Sequence, residues 1–205
     1  MKIFKPKFWN KKNNLISFFL LPFSLFIQLL LKLKKNLSKK EKFPIPVFCI
    51  GNIYIGGTGK TPLSIEIAKI LKKFNKKVAI IKKSYSGHAD EFELIKSKNI
   101  TLFKNSSRLE AIKDALKNKF DCVVLDDGFQ DFSIDKSINI ICFNEKQLVG
   151  NGLTLPSGPL REPLSSLERS QIIIINGNIN YEFEKKIKNI SKKISIYYSK
   201  YLPTN

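Results

Sequence analysis

The feature that most constrains the fold of this chain is a glycine-rich loop between an apolar segment and a helical one. The loop reads Gly56-Gly57-Thr58-Gly59-Lys60-Thr61. Residues 47–51 before it form a short apolar run, which is typical of a buried parallel strand. Glycines there let backbone N–H groups turn toward an anion, and the N-terminus of the following helix adds its dipole. The pattern therefore predicts a phosphate-binding loop of the P-loop type.

The strict P-loop pattern, G-x-x-x-x-G-K-[ST], is missed at one position, because Tyr54 stands where the first glycine falls. We still expect the loop to bind ATP, with Lys60 reaching the β- and γ-phosphates and the Thr61 hydroxyl binding Mg²⁺. The predicted nucleotide-binding residues are Tyr54, Ile55, Gly56, Gly57, Thr58, Gly59, Lys60 and Thr61.

A second signal is the apolar run 123–125, which is followed by the adjacent carboxylates Asp126 and Asp127. Magnesium in nucleotide sites is held by one or two carboxylates together with phosphate oxygens. We therefore predict that one of the two, directly or through water, holds the metal. The alternative is a strand-end Asp that merely caps a turn.

Strand and helix patterns alternate along the rest of the chain, which predicts an α/β fold with a doubly wound parallel sheet. Helix 62–74 should bury Ile65, Ile67, Ala68, Ile70 and Leu71 and carry Pro62 in its first turn. Further strands are predicted at 78–81, 100–103, 121–126, 138–143, 171–175 and 194–198, and further helices at 107–118 and 181–190. We expect a membrane-anchoring segment 1–40 and a P-loop domain 41–205.

The apolar run 15–31 is close to the length that spans a bilayer, and basic residues flank it on both sides. A cleaved signal peptide would need a small-residue cleavage site, but lysines follow instead. A spanning helix would place basic flanks on both sides of the membrane, against the positive-inside rule. A monotopic helix in the interface satisfies both observations and is preferred. A buried core helix is the remaining alternative.

The net charge is +19, and only Arg108, Arg161 and Arg169 among the 36 basic residues are arginine. Such a charge either meets an anionic partner or reflects a lysine-rich composition. No helix-turn-helix or stacking platform is apparent, so no nucleic-acid partner is expected. The three cysteines, Cys49, Cys122 and Cys142, each lie in an apolar run, which predicts buried free thiols and a reducing compartment.

Beyond the P-loop, three segments are distinctive: the basic apolar N-terminus, Asp-Asp-Gly-Phe-Gln at 126–130, and Leu-Pro-Ser-Gly-Pro-Leu-Arg-Glu-Pro at 155–163. In this order the chain resembles the tetraacyldisaccharide 4'-kinase family, the lipid A kinases, from about residue 15 to 176. The resemblance implies ATP-dependent phosphorylation of the 4'-hydroxyl of a tetraacyldisaccharide 1-phosphate. It also implies a monotopic enzyme on the cytoplasmic face of the inner membrane, with the lipid A precursor and that leaflet as partners.

The resemblance further implies site roles. Asp90 matches the family's catalytic Asp, and Lys60 and Asp127 complete the predicted catalytic set. Glu91, Gln130 and Arg161 are the predicted substrate-binding residues, Arg161 through a substrate phosphate. A structural ion pair of Arg161 with Glu162 or another acid remains the alternative, as does a solvated loop position for Asp90.

The chain also departs from the family. The family's Ser-Arg-Gly-Tyr after the second strand is not present around Lys83 and Ser84, and Asp131 replaces a His. Family members are longer and carry a His in the C-terminal region. We therefore expect a fragment, a minimal form or a degenerate enzyme. The second hypothesis is a non-catalytic nucleotide-binding protein at the membrane surface.

Overall fold

The computed structural model of the 205-residue chain describes the backbone of residues 5–84 and 89–200, and their side chains except those of 89–91. The described residues form two short 3-10 helices, Lys7–Asn10 and Leu164–Arg169, together with five α-helices and seven strands. The helices are α1 Leu15–Leu37, α2 Lys60–Lys73, α3 Ala89–Ser97, α4 Arg108–Lys117 and α5 Tyr181–Ile190. The strands are β1 Val47–Gly51, β2 Val78–Lys83, β3 Thr101–Asn105, β4 Cys122–Asp126, β5 Ile138–Asn144, β6 Ile172–Asn176 and β7 Ser195–Ser199.

The strands form one sheet in the order β3-β2-β4-β1-β5-β6-β7. The pairs β1–β4, β2–β3, β2–β4 and β6–β7 are parallel. The predicted α/β class with a parallel sheet is therefore confirmed. The order places β4 between β1 and β2, so residues at the carboxyl ends of these three strands become neighbours although they are distant in sequence.

The chain divides into two compact units. Unit I comprises the described residues up to Ser38, Asn52–Thr58 and the residues from Ile141 onward; unit II comprises Lys39–Gly51 and Gly59–Ile140. The core of unit II forms between β1, β2, β4 and α4, and its centre is fully buried. Its members include Val47, Ala79, Ile81, Ile112, Ala115, Val123 and Leu125.

Helix α2 buries a different set of residues from the one predicted. Thr61, Ser64, Ile65 and Ala68 are buried, at the i, i+3, i+4, i+7 spacing of one helix face. The prediction that Ile70 lies on the core face is wrong, since its side chain is 46% exposed. The buried face begins at the hydroxyl residues Thr61 and Ser64, which turns the helix so that Ile70 points to solvent.

In unit I, helix α1 is polar on its packed side and apolar on its exposed side. Its two buried residues are Ser17 and Ser24, whereas its large apolar side chains are exposed. The helix is long and apolar enough to cross a membrane by length and composition. The alternative of a buried core helix is therefore wrong, because only 11% of the apolar window is buried.

The buried serines of α1 hold the loop 151–157. Ser24 Oγ donates to the Thr154 carbonyl at 3.0 Å and lies 2.8 Å from Ser157 Oγ, and the Ser157 N–H donates to Ser24 Oγ at 3.1 Å. Gln28 Nε2 donates to Thr154 Oγ1 at 2.8 Å. The Trp9 indole N–H donates to the Pro156 carbonyl at 3.0 Å. The helix thus uses its few polar groups to fix this loop.

Other predicted elements lie within a few residues of their observed positions. Strand β2 extends two residues further than predicted, to Lys83, and helix α3 was not predicted. Pro62 lies in the first turn of α2, as expected. The free cysteines are buried, as predicted.

Candidate functional site

The glycine-rich loop adopts backbone angles that explain its glycines. Gly56 has φ 115° and Gly59 has φ 89°, both in the region that favours glycine. Gly59 is the N-cap residue of α2, and the helix begins at Lys60. The first backbone N–H groups of a helix have no partner within the helix and point out of its N-terminal end. Tyr54, where the strict motif has glycine, does not have a positive φ and is 1% exposed. A side chain is therefore tolerated there.

The loop is held from within by the buried Asn52. Its Nδ2 donates to the Gly56 carbonyl at 3.2 Å and to Thr58 Oγ1 at 2.9 Å. Tyr54 forms an antiparallel bridge with Leu160, and the Ile55 N–H donates to the Pro159 carbonyl at 2.9 Å. These contacts lie within unit I and preorganise the first half of the loop.

Thr61 and Asp126, two of the predicted metal ligands, are in direct contact. Thr61 Oγ1 donates to Asp126 Oδ2 at 2.9 Å, and Ser64 Oγ lies 3.3 Å from Asp126 Oδ1. The strand register explains the contact, because Ile50 of β1 pairs with Asp126 of β4 and α2 follows β1 through the loop. Asp126 is completely buried, so its carboxylate is held in one position by hydroxyl donors.

Lys60 faces the second carboxylate. Its Nζ lies 3.8 Å from Asp127 Oδ1, and the two side chains are 13% and 31% exposed. Asp127 has φ 59°, a left-handed conformation that Asp tolerates better than most residues. Asp127 follows the last residue of β4, and the chain then passes so close to the strand that a Cβ on Gly128 would lie 2.9 Å from Leu125 Cβ.

The next residue explains a further part of the Asp-Asp-Gly-Phe-Gln segment. Phe129 is 2% exposed, and a Cβ on Gly51 would lie 2.5 Å from Phe129 Cβ. The aromatic ring and the glycine at the end of β1 therefore pack at a distance that only glycine permits. This contact ties the turn after β4 to the strand that leads into the glycine-rich loop.

Two cations near these acids were not predicted from the sequence. Lys82 Nζ lies 3.2 Å from Thr61 Oγ1 and forms an ion pair with Asp126 Oδ2. Arg108 Nη2 donates to the Asp127 carbonyl at 2.7 Å, and its Nη1 lies 3.3 Å from Asp131 Oδ2. Both residues are at most 8% exposed. Two features of the sequence could have indicated these residues. Lys82 follows the apolar residues of a strand, and Arg108 is one of only three arginines.

Asp131, which replaces the family's His, is an ionised acid at this place. Burial opposes its ionisation, but hydrogen bonds from Ser133 and the charge of Arg108 outweigh burial and lower its pKa. Ser133 Oγ lies 2.6 Å from Asp131 Oδ1. Lys136 donates to the Asp131 carbonyl, and Gln130 is half-buried beside it in sequence. The turn 127–131 is thus rigidly held.

The remaining predicted residues belong to unit I or have side chains outside the described residues. Arg161 belongs to unit I, where its N–H donates to the Ile53 carbonyl at 2.6 Å. Glu162, the alternative ion-pair partner of Arg161, accepts from Arg169 Nη2 at 2.6 Å. Asp90 and Glu91 lie in the first turn of α3, and their side chains lie outside the described residues.

The chain has clear similarity to known proteins. A family model described as tetraacyldisaccharide-1-P 4'-kinase, LpxK, matches residues 16–204. The tetraacyldisaccharide 4'-kinase of Pelagibacter ubique (strain HTCC1062) is 44% identical over 208 residues, covering 100% of this chain and 66% of that protein. The enzyme of the same name from Coxiella burnetii (strain RSA 493) is 32% identical, covering 92% of this chain and 65% of that protein.

Among solved structures, the crystal structure of LpxK from Aquifex aeolicus in complex with ATP superposes with a TM-score of 0.69 at 21% identity. The match covers 91% of this chain and 82% of that one and supports the fold. The chain spans just under two thirds of the length of the two curated relatives. On the extent of the family match, the chain belongs to the tetraacyldisaccharide-1-P 4'-kinase family.

Proposed function

We propose that this chain binds Mg·ATP at its glycine-rich loop and transfers the γ-phosphate to the 4'-hydroxyl of a tetraacyldisaccharide 1-phosphate. The family to which it belongs and the names of its relatives support this activity. The chain spans just under two thirds of the length of those relatives.

The observation that carries the proposal is the contact of Thr61 with Asp126 behind the glycine-rich loop. A hydroxyl at the start of α2 and a carboxylate at the end of β4 converge to 2.9 Å across 65 residues of sequence. A turn that merely resembled a P-loop would not require this pairing. P-loop enzymes use the same two groups to hold the magnesium of a nucleotide.

The oxygen atoms of Thr61 and Asp126 are of the kind that magnesium prefers. Thr61 and Asp126 offer hard oxygen atoms, which Mg²⁺ prefers, and phosphate oxygens and water would complete an octahedron. A magnesium ion held by Thr61 and Asp126 would supply positive charge beside the phosphates of the nucleotide. The Lys82 ammonium contacts the same Thr61 and Asp126 oxygens, so a metal ion and this ammonium cannot both lie between them.

Within this proposal, Lys60 draws the β- and γ-phosphates to the helix N-terminus and neutralises charge on the transferred group. Its neighbour Asp127 orients the Lys60 ammonium from 3.8 Å. Asp90 accepts the proton of the sugar hydroxyl, and Glu91, Gln130 and Arg161 contact the lipid substrate. Catalysis is then mainly positioning and charge neutralisation, as is general for phosphoryl transfer.

Helix α1 supports a membrane location for this reaction. Its exposed face is apolar, and lysines flank it on both sides. A monotopic helix in the cytoplasmic leaflet would keep the enzyme beside a lipid head group, and each nearby lysine adds about 1 kcal/mol at an anionic surface. We propose that the inner-membrane leaflet is the partner of this face.

The test is transfer of labelled phosphate from ATP to the lipid disaccharide in detergent, measured for the whole chain and for Lys60→Ala. We expect the wild type to transfer phosphate and the variant to lose about 10²- to 10³-fold in kcat, as for removal of other preorganised charge-stabilising groups. Lys73→Ala at the other end of α2 is the matched control and should retain full activity.

The same assay separates the competing hypothesis. Nucleotide binding without transfer in the wild type would make the chain a non-catalytic nucleotide-binding protein. Equal nucleotide binding and equal transfer by wild type and Lys60→Ala would remove the glycine-rich loop from the mechanism altogether.

A further inference from the structure

Lys82 occupies an unusual place for a lysine. It is 7% exposed and lies one residue before the end of β2, a strand that is otherwise apolar up to that point. Its Nζ contacts Thr61 Oγ1 at 3.2 Å and forms an ion pair with Asp126 Oδ2. The parallel register of the sheet enforces this contact, because Lys82 and Asp126 are partners on β2 and β4.

The two oxygens that Lys82 contacts are the two that fit a divalent cation. Mg²⁺ binds its ligands at about 2.0–2.1 Å. A metal ion on both Thr61 Oγ1 and Asp126 Oδ2 would therefore take the position of the ammonium group. The other carboxylate oxygen, Asp126 Oδ1, lies 3.3 Å from Ser64 Oγ.

The charge balance points the same way. Asp126 is completely buried, and a buried carboxylate without a counter-ion is strongly unfavourable. In a nucleotide site where the metal is the counter-ion, the negative charge of the buried carboxylate is fully compensated only when the metal binds. Here Lys82 compensates Asp126 in the protein itself.

We propose that the Lys82 ammonium takes the place of the divalent cation between Thr61 and Asp126, so that nucleotide binds with little dependence on Mg²⁺. The inference rests on the proposed nucleotide site but not on phosphoryl transfer. A metal ion enters between these two oxygens only after the lysine side chain moves away.

The experiment compares nucleotide affinity with Mg²⁺ and with a chelator, using a fluorescent ATP analogue, for wild type, Lys82→Met and Lys73→Met. Lys73→Met removes one exposed charge at the far end of α2 and is the control. We expect the wild type and the control to bind nearly as well without Mg²⁺. For Lys82→Met we expect Mg²⁺ to strengthen binding at least about tenfold, within the range of typical couplings between ligands.

The outcomes distinguish the two proposals. Nucleotide binding whose Mg²⁺ dependence is equally large in wild type and Lys82→Met overturns this inference and leaves the nucleotide site intact. No nucleotide binding by the wild type overturns both.

Loss of Lys82 leaves Asp126 uncompensated, so folding must be followed by circular dichroism, with Lys82→Ser as a second variant that leaves room for water. If both variants unfold without metal, the inference requires Mg²⁺ with nucleotide to restore their fold. If Mg²⁺ with nucleotide does not restore the fold of the variants, the inference is overturned.

Discussion

Asp126, Asp127 and Asp131 each face a different cation within unit II. Lys82 pairs with Asp126, Lys60 lies 3.8 Å from Asp127, and Arg108 lies 3.3 Å from Asp131. Each of the three acids therefore has the positive charge of a lysine or an arginine within 4 Å. The turn that carries them is short, and each pair limits how far its acid can move.

Asp90 is the residue on which we expect the chemical step to depend. Asp90→Asn keeps the size of the side chain but cannot accept the proton of the sugar hydroxyl. We predict a fall in kcat of about 10²- to 10⁴-fold, the usual contribution of a general base. Nucleotide affinity should stay unchanged, and both are measured with labelled ATP and the lipid disaccharide.

The matched control for this prediction is Glu93→Gln, which removes a carboxylate that is exposed on the same helix. It should transfer phosphate at the wild-type rate. Equal rates for wild type and Asp90→Asn would show that Asp90 is a bystander.

Asp131 gives a pH-dependent prediction for stability. Its pKa is lowered in the folded protein, with Ser133 and Arg108 outweighing burial. An acid with a lowered folded pKa stabilises the fold above its unfolded pKa, about 3.9 for Asp, and loses that contribution as pH falls through the folded value. Asp131→Asn should therefore lower the free energy of unfolding at pH 7 by about 1–3 kcal/mol, because it weakens hydrogen bonds to buried Arg108.

Urea unfolding of wild type and variant at a series of pH values measures this difference. The difference should be constant from pH 7 to about 5 and shrink below about pH 4, where Asp131 protonates first in the unfolded chain and, at lower pH, in the folded protein. Asp114→Asn, which changes an acid that is 45% exposed, should differ from wild type by less than about 0.5 kcal/mol. A difference for Asp131→Asn that does not depend on pH would contradict the assigned cause.

At the scale of elements, helix α1 reverses the usual arrangement of an amphipathic helix. Ser17, Ser24 and Gln28 face the protein, whereas Phe18, Phe19 and Phe23 are more than 60% exposed. A soluble protein gains nothing from exposing these rings to water, but a helix in the membrane interface buries them in lipid. The serines of the same helix hold the loop 151–157. One face of α1 therefore packs on the protein, and the opposite face is exposed and apolar.

We predict that the exposed face of α1 carries membrane binding. Replacing Phe19, Phe23 and Phe26 with Glu should weaken binding to anionic vesicles by at least about 10³-fold, because each buried Phe contributes about 1.5–3 kcal/mol. Ser24→Ala, on the opposite face, should bind vesicles normally while weakening the hold on loop 151–157. Co-sedimentation with vesicles measures the first effect and urea unfolding the second.

Topology is tested separately with reporters fused at both ends of the chain. A monotopic helix predicts that both ends are cytoplasmic. Either end found in the periplasm would contradict that arrangement, although the lipid-binding face could remain correct.

At the scale of the whole molecule, the three thiols report on the integrity of the sheet. Cys49, Cys122 and Cys142 lie in β1, β4 and β5, are free, and are at most 3% exposed. Burial is the main reason that the pKa of Cys49 rises to about 11, so its reactive thiolate is scarce at neutral pH.

We predict that the folded protein reacts slowly with a thiol reagent at pH 7 and that all three cysteines react at once in strong denaturant. Labelling followed by mass spectrometry gives the rate at each site. Fast labelling of any one site in the folded protein would show that its strand opens without global unfolding.

Much of this fold was predictable because its signals are local. An apolar run marks a strand, and glycines next to Lys60 and Thr61 mark the loop wherever the chain then goes. Asp126 was predictable because it closes an apolar strand. Helix α3 was not, since its short mixed sequence lacks a clear apolar period, and Ile70 was misplaced because hydroxyl residues share the buried face of α2.

By itself, the sequence determined the order of the strands and of most helices, the position of the glycine-rich loop and the acids that follow β4. These depend on the spacing of residues a few positions apart. The tertiary structure decided that Lys82 lies on Asp126, that Arg108 lies on Asp131, and that the serines of α1 hold a loop 130 residues away. Such contacts depend on which strands become neighbours and which helix face turns inward. Those choices are made by the packing of the whole chain, because no short stretch of sequence contains both partners.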